Sequence, residues 1–159
     1  QIMSLVTLPE AKLHLRVTDS AEDALIAVYV TAAEQSAVSA VDRVIYADAT
    51  AMSAAKAQAP IDLAAATVVY TDAITAAESI ADAVDQCQAI TTAELSYVSA
   101  QADYRKSMDG ILVNEAIKAS ILLVIGHLYS NREDVVSGIS IAKLPNGAEW
   151  LLQPYKAYH

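Results

Sequence analysis

The stretches Ile117–Gly138, IKASILLVIGHLYSNREDVVSG, and Leu144–Lys156, LPNGAEWLLQPYK, decide how this chain is read. Ile117, Ile121, Leu122, Val124, Ile125 and Leu128 put apolar side chains nearly all round one helix. It is expected from about Leu112 to Val135 and should be the most buried helix of the chain. Its end carries a polar cluster, Tyr129, Asn131, Arg132 and Glu133, and Ser137-Gly138 stops it. Pro145 and Gly147 frame a turn into a last short helix with Trp150, Leu151 and Leu152. Pro154 ends that helix, and Tyr155 and Lys156 follow. Arg132 has two readings. A cation near a helix C-terminus is favoured, so it caps and pairs locally; or, with Tyr129, Asn131 and Glu133, it bridges neighbouring subunits. Nothing here has the form of an active site; the region reads as an assembly part.

Outward from this helix, the rest of the chain also reads as helical. Thr7-Leu8-Pro9-Glu10 has the form of a capping box, with proline in the first turn. A short helix over about 8–15 is expected, with Leu8, Ala11, Leu13 and Leu15 supplying its apolar contacts. Ser20-Ala21-Glu22-Asp23 opens a second helix with acidic residues at the positive dipole end. Leu25, Ile26, Tyr29, Val30, Ala33, Ala37, Val41, Val44 and Ile45 follow at helical spacing. No glycine or proline interrupts before Pro60, so this helix is expected to reach about Gln58. Pro60 disfavours helix at Ala59 and suits the start of a new one. From Leu63 to Ala102 an apolar or small residue recurs at alternating four and three steps: Leu63, Thr67, Tyr70, Ile74, Ala77, Ala81, Val84, Gln88, Thr91, Leu95, Val98, Ala102. That is a weak heptad seam. Thr91-Thr92-Ala93-Glu94 offers a second capping sequence within it, and Asp109-Gly110 is a turn signal.

The totals agree with a helical domain. The chain has 159 residues, 55% hydrophobic, much of it alanine, with four glycines, four prolines, one Trp and no Phe. Alanine loses no side-chain entropy in a helix, and so few breakers argue against a loop-rich β fold. The net charge is −9. Such a chain lacks the clustered cations that bind nucleic acid by displacing counterions. The acidic balance serves simple solubility, or a wall past which DNA slides without sticking.

Chemistry-bearing patterns are missing from the sequence. His14, His127 and His159 are far apart with no His-x-x-x-His spacing, and His127 reads as a satisfied core or interface residue. Cys87 is the single cysteine, which excludes an intrachain disulfide and fits synthesis in a reducing cytoplasm. No phosphate-binding glycine loop and no Gly-x-Ser-x-Gly elbow occurs. The acidic pairs Glu22/Asp23 and Glu133/Asp134 sit at helix ends, where capping and salt bridging explain them. No catalytic residue, cofactor or metal is expected. QIMSLVTLPEAK has no basic-then-apolar signal pattern, and the apolar run Ala119–Gly126 is too short to span a bilayer. Neither secretion nor a membrane span is expected.

Four motifs in order carry a family resemblance. They are Leu-x-x-Ala-Lys-x-His-Leu-Arg at Leu8–Arg16, Asp-Ser-Ala-Glu-Asp-Ala-Leu-Ile at Asp19–Ile26, Tyr-Ser-Asn-Arg-Glu at Tyr129–Glu133, and Leu-Pro-x-Gly…Leu-Leu-x-Pro-Tyr-Lys at Leu144–Lys156. Together, over about residues 4–46 and 111–156, the chain resembles the head–tail connector (adaptor, or head-completion) family of long-tailed phages and their prophages. The resemblance implies a structural virion protein at the head–tail interface, made in the host cytoplasm, with no enzymatic activity. It implies a homo-oligomeric ring of about a dozen copies under the portal protein. The ring would extend the DNA channel, pass packaged DNA without specific binding, and present a surface to a tail-side stopper or tail-completion protein. Tyr129, Asn131, Arg132, Glu133, Trp150, Pro154, Tyr155 and Lys156 become the candidate interface residues, by position. A member of this family usually joins its two principal helices by a short loop, and here about sixty alanine-rich residues intervene. The expected fold is all-α: a small helical bundle with a long alanine-rich helical hairpin insertion. Residues 1–47 and 111–159 would form the connector core and 48–110 the inserted arm. The rival reading is a coiled-coil-like scaffold or interaction module unrelated to phage assembly; the heptad-like seam alone supports it, but it leaves the C-terminal motif unexplained.

Overall fold

The computed structural model of the chain describes residues 4–131 and 147–157. Among them the fold is all-α, with six α-helices and one pair of two-residue strands. Backbone contacts divide the chain into two units, 1–48 with 111–159, and 49–110.

In the first unit, α1 (Leu8–Leu15) starts at the expected capping box. The Thr7 hydroxyl accepts from the Glu10 N–H, and the Glu10 carboxylate accepts from the Thr7 N–H at 2.7 Å. The helix closes with Arg16 in the left-handed region (φ 58°), and the Val17 N–H reaches back to the Lys12 carbonyl at 3.0 Å. That is a Schellman closure made without glycine. Ala11 is buried and Leu8 and Leu15 are half-buried, whereas Leu13, expected in the core, is 81% exposed. Positions 8, 11 and 15 share a face and position 13 falls opposite.

α2 (Asp23–Val41) buries Ile26, Val30, Ala33, Ala37 and Val41. By length and composition alone it could cross a membrane, at 19 residues and mean hydropathy 1.4, but its buried residues belong to the same core as α5. The expected extension to Gln58 does not occur. Asp42 adopts the left-handed conformation (φ 53°) and ends the helix, as a short polar side chain tolerates. Ile45–Tyr46 then forms β1, which pairs in parallel with β2 (Ile111–Leu112), Ile45 opposite Ile111. The Ile111 N–H donates to the Val44 carbonyl at 2.9 Å and the Val113 N–H to the Tyr46 carbonyl at 2.8 Å. This pairing, between residues 66 apart in sequence, stops α2 and also sets back the start of the next core helix.

α5 (Glu115–Ser130) therefore begins at Glu115 rather than Leu112, capped by Asn114, whose side-chain oxygen accepts from the Ile117 N–H at 3.0 Å. Ile117, Ser120, Ile121 and Ile125 are buried. It ends at Ser130, short of the expected Val135, because Asn131 leaves the helical conformation (φ −118°, ψ 77°) and caps it; residues 132–135 lie outside the described residues. His127, expected as a core or interface residue, is exposed and so is not in the core, because it lies off the face that carries Ile117, Ile121 and Ile125. Three polar ties hold the bundle's edges. Glu34 on α2 accepts from the N–H groups of Leu5 and Val6 at 2.6 and 3.0 Å. Lys12 pairs with Asp23 at 2.5 Å, and Lys118 with Glu10 at 3.4 Å.

The second unit is a helical hairpin. α3 (Ala49–Glu78) runs through Pro60 instead of starting at it. Proline removes one intrahelical hydrogen bond and crowds the preceding turn. The packed residues Ala59 and Leu63 on either side hold the helix together across it. The chain turns at 79–82, and Asp82 caps α4 (Ala83–Met108) by accepting from the N–H groups of Val84 and Asp85 at 2.9 and 3.0 Å. α4 continues unbroken past Thr91. The α3 half of the expected seam is correct: Leu63, Thr67, Tyr70, Ile74 and Ala77 are half-buried or buried. The α4 half is in the wrong phase, since Val84, Gln88, Thr91, Leu95 and Val98 are exposed and only Ala102 is half-buried. The packed stripe is Gln86, Ile90, Ala93, Tyr97, Ala100 and Tyr104, again at four-and-three spacing. The turn residues are not helical, so a count carried through them loses register. Tyr70 and Tyr97 stack at the seam with ring centroids 4.9 Å apart.

Candidate interaction surface

The C-terminal segment is built onto the first unit by its backbone. α6 (Gly147–Leu152) sits against α5, where the Ser120 hydroxyl donates to the Ala148 carbonyl at 2.9 Å and Leu152 is buried in the core. A 3-10 turn, Gln153–Tyr155, follows, with Pro154 exposed and Tyr155 half-buried against the core. The Ala157 N–H donates to the Val41 carbonyl at 2.9 Å, and an Arg43 guanidinium N–H to the Lys156 carbonyl at 3.4 Å. The segment is therefore fixed to the end of α2 as well as to α5. Lys156 Nζ reaches Glu149 at 3.2 Å, an exposed ion pair of small energetic weight.

The indole of Trp150 is 74% exposed. α6 turns Ala148, Leu151 and Leu152 inward, which leaves Glu149 and Trp150 on its outer side. Leu123 of α5 is also exposed, and its Cδ1 lies 3.9 Å from where a Cβ on Gly147 would stand. Beside α6 a half-open cleft of about 300 Å³ is lined by Ser36, Ala37, Ser120, Val124, Glu149 and Leu152, among others. Trp150 is thus a large exposed aromatic on the helix that borders this mainly apolar cleft, and tryptophan is enriched where interfaces concentrate their binding energy.

The other expected interface residues behave differently. The Tyr129 hydroxyl donates to the Glu22 carboxylate, so this side chain ties α5 to the N-terminus of α2. Asn131 caps α5 and its side-chain amide donates to the His127 carbonyl at 3.0 Å. Arg132 and Glu133 lie outside the described residues. The structure thus brings Trp150, Pro154, Tyr155 and Lys156 together on one segment, and gives Tyr129 and Asn131 partners within the chain. Two exposed apolar residues that sequence reasoning did not nominate are Leu13 and Val28. Their signal was available, because each falls off the spacing of its helix's buried face.

Among the described residues no three His, Cys, Asp or Glu side chains gather as a metal would require. The Glu10 carboxyl is held below its usual value, first by the Thr7 hydroxyl and the Thr7 N–H and then by Lys118, which is what a capping box does.

A family model described as phage gp6-like head-tail connector protein matches residues 5–84, just over half of the chain. The chain belongs to that family. In this connector the matched residues run from Leu5, before α1, through α1, α2, β1 and the whole of α3 to the first residues of α4. The match therefore reaches into the hairpin instead of stopping near Asp48, and does not include 111–156, over which the motif resemblance was also read. No curated protein and no solved structure matches the connector.

Proposed function

We propose that this connector is a structural head–tail adaptor subunit. Copies assemble as a ring below the portal protein, extend the DNA channel and dock the tail-side proteins; the chain performs no catalysis. The family match over residues 5–84 carries this reading. It is supported by the outward Trp150 on a segment locked to two core helices, which suits a contact formed without reordering the chain. It is also supported by the charge of −9, which a ring multiplies around a conduit that must not hold DNA.

In this reading 1–47 and 111–159 are the connector core, and 48–110 is an arm inserted between its principal helices. The C-terminal platform, Trp150 to Lys156, contacts a ring neighbour or the portal. Arg132 and Glu133 are candidate contacts by sequence position alone.

Mass measurement of the purified chain, alone and with the portal protein of the same phage, tests the reading. A ring, formed alone or on the portal, is the expected result. A chain that stays monomeric in both conditions overturns it. Trp150→Ala should lower assembly at least tenfold and leave helicity unchanged.

A further inference from the structure

Arg16 closes α1 in the left-handed conformation, φ 58° and ψ 34°, with its N–H bonded to the Leu13 carbonyl at 3.2 Å. An L side chain is strained there, and glycine ordinarily fills the position. The Arg16 side chain is exposed and has no hydrogen-bond or ion-pair partner among the described residues. The other described cations of the first unit are engaged. Lys12, Lys118 and Lys156 pair with Asp23, Glu10 and Glu149, and Arg43 donates to the Lys156 carbonyl. A backbone cost kept for a guanidinium that the chain itself does not use points to a partner outside the chain.

The same unit carries a receptor for such a group on another side. Lys118 and Gly126 of α5 lie against α1, at the Glu10 carboxylate and the His14 ring, whereas Ser120 and Leu123 lie against α6. Around α5 these two pairs fall on either side of the buried face of Ile117, Ile121 and Ile125. α2 repeats the division, with Asp23 toward α1, and Ser36 and Ala40 at the cleft beside α6. α1 and α6 therefore flank the α2–α5 pair on opposite sides. On the outer side of α6, Glu149 and Trp150 are consecutive, an open indole beside a carboxylate that is 49% exposed. Building on the ring reading, we propose that Arg16 of one copy docks on Trp150 and Glu149 of the next.

A guanidinium lies flat over an indole while its N–H groups reach a neighbouring carboxylate, a combination that a lysine ammonium does not match. Leu13, 81% exposed and one turn before Arg16, brings an apolar side chain to the cleft next to Trp150. The two surfaces differ and face opposite ways, so the contact is head to tail and repeats from copy to copy. A two-fold pair cannot use both, since each copy would have to turn opposite sides to one partner.

The test measures assembly of the full chain, by mass at graded concentrations with and without the portal protein, and melting in dilute protein. Arg16→Gly should weaken assembly at least tenfold and leave the melting temperature the same or higher, because glycine relieves the left-handed strain. The double variant Arg16→Gly with Trp150→Ala should assemble no worse than Trp150→Ala alone, as two sides of one contact do. A lowered melting temperature in Arg16→Gly would make Arg16 a residue of the fold and overturn the proposal. Losses that multiply in the double variant would give Arg16 and Trp150 separate partners and overturn it as well. Arg16→Gly rings that form as readily as those of the parent chain overturn the contact while leaving the ring reading in place. A parent chain that stays monomeric, with or without the portal protein, overturns both.

Discussion

The Tyr129 hydroxyl donates to the Glu22 carboxylate and so joins the last turn of α5 to the residue that precedes α2. These residues are 107 apart in sequence, and each stands in a motif that sequence reading assigned to contacts between subunits or to local capping. The bond makes Tyr129 part of the fold. Tyr129→Phe keeps the ring and loses the hydroxyl, so it should lower unfolding stability by about 1 kcal/mol. The assembly state should be unchanged. Thermal unfolding and mass measurement check this together; a normal melting curve with a lost oligomer would assign the hydroxyl to a neighbouring subunit instead.

Glu10 supplies an acid-sensitive contribution to stability. Its folded value is lowered from 4.5, chiefly by the Thr7 hydroxyl, so the folded state favours the ionised form. The stabilisation is therefore present above about pH 4.5 and is lost as pH falls through the depressed value. Glu10→Gln should flatten the acid limb of the stability curve. Glu10→Ala should cost about 1 kcal/mol at neutral pH by removing half of the capping box. Urea midpoints from pH 3 to 7 measure both, and an unchanged acid limb in Glu10→Gln would rule out this assignment.

The hairpin seam predicts opposite outcomes for neighbouring residues. Ala93 is buried against α3, whereas Leu95, two positions on, is exposed. Ala93→Asp puts an unpaired charge into the seam and should melt the hairpin helices. Leu95→Asp should leave helicity near the starting value. Circular dichroism separates them; the reverse result would restore the seam as first read from the sequence.

The strand pair makes a clean deletion possible. Because β1 and β2 hold Ile45 opposite Ile111, the chain ends left by removing 49–110 already lie close together. Replacing 49–110 with about eight Gly/Ser residues should give a folded helical protein, since closing so short a flexible loop costs little. An insoluble or unfolded product would make the hairpin part of the core's folding unit.

Duplex DNA should not be retained. With a net charge of −9 the chain has too few cations to release counterions, so low-micromolar protein should give no gel shift at physiological salt. A shift would contradict a conduit that DNA slides through.

The sequence by itself determined the helical class, α1 with its capping box, the α5 core face and the short α6, which ends at Leu152 just ahead of Pro154. Each is set by contacts within one or two turns: a side chain reaching three residues along, apolar residues repeating on one face, a ring with no N–H to give. What only the tertiary structure decided was where long elements stop and which stripe packs. Asp42 ends α2 without glycine or proline, because β1 must meet a strand 66 residues away. Pro60 stays inside α3, since packing on both sides offsets its lost hydrogen bond. α4 bears two apolar stripes at the same spacing, one through Ala93 and one through Leu95. Periodicity is identical for both, so only the position of α3 chooses the buried one. The same holds for Trp150 and Tyr129. Both are aromatic residues near helix ends, but one faces outward and the other bonds to Glu22, a difference set by contacts far apart in the chain.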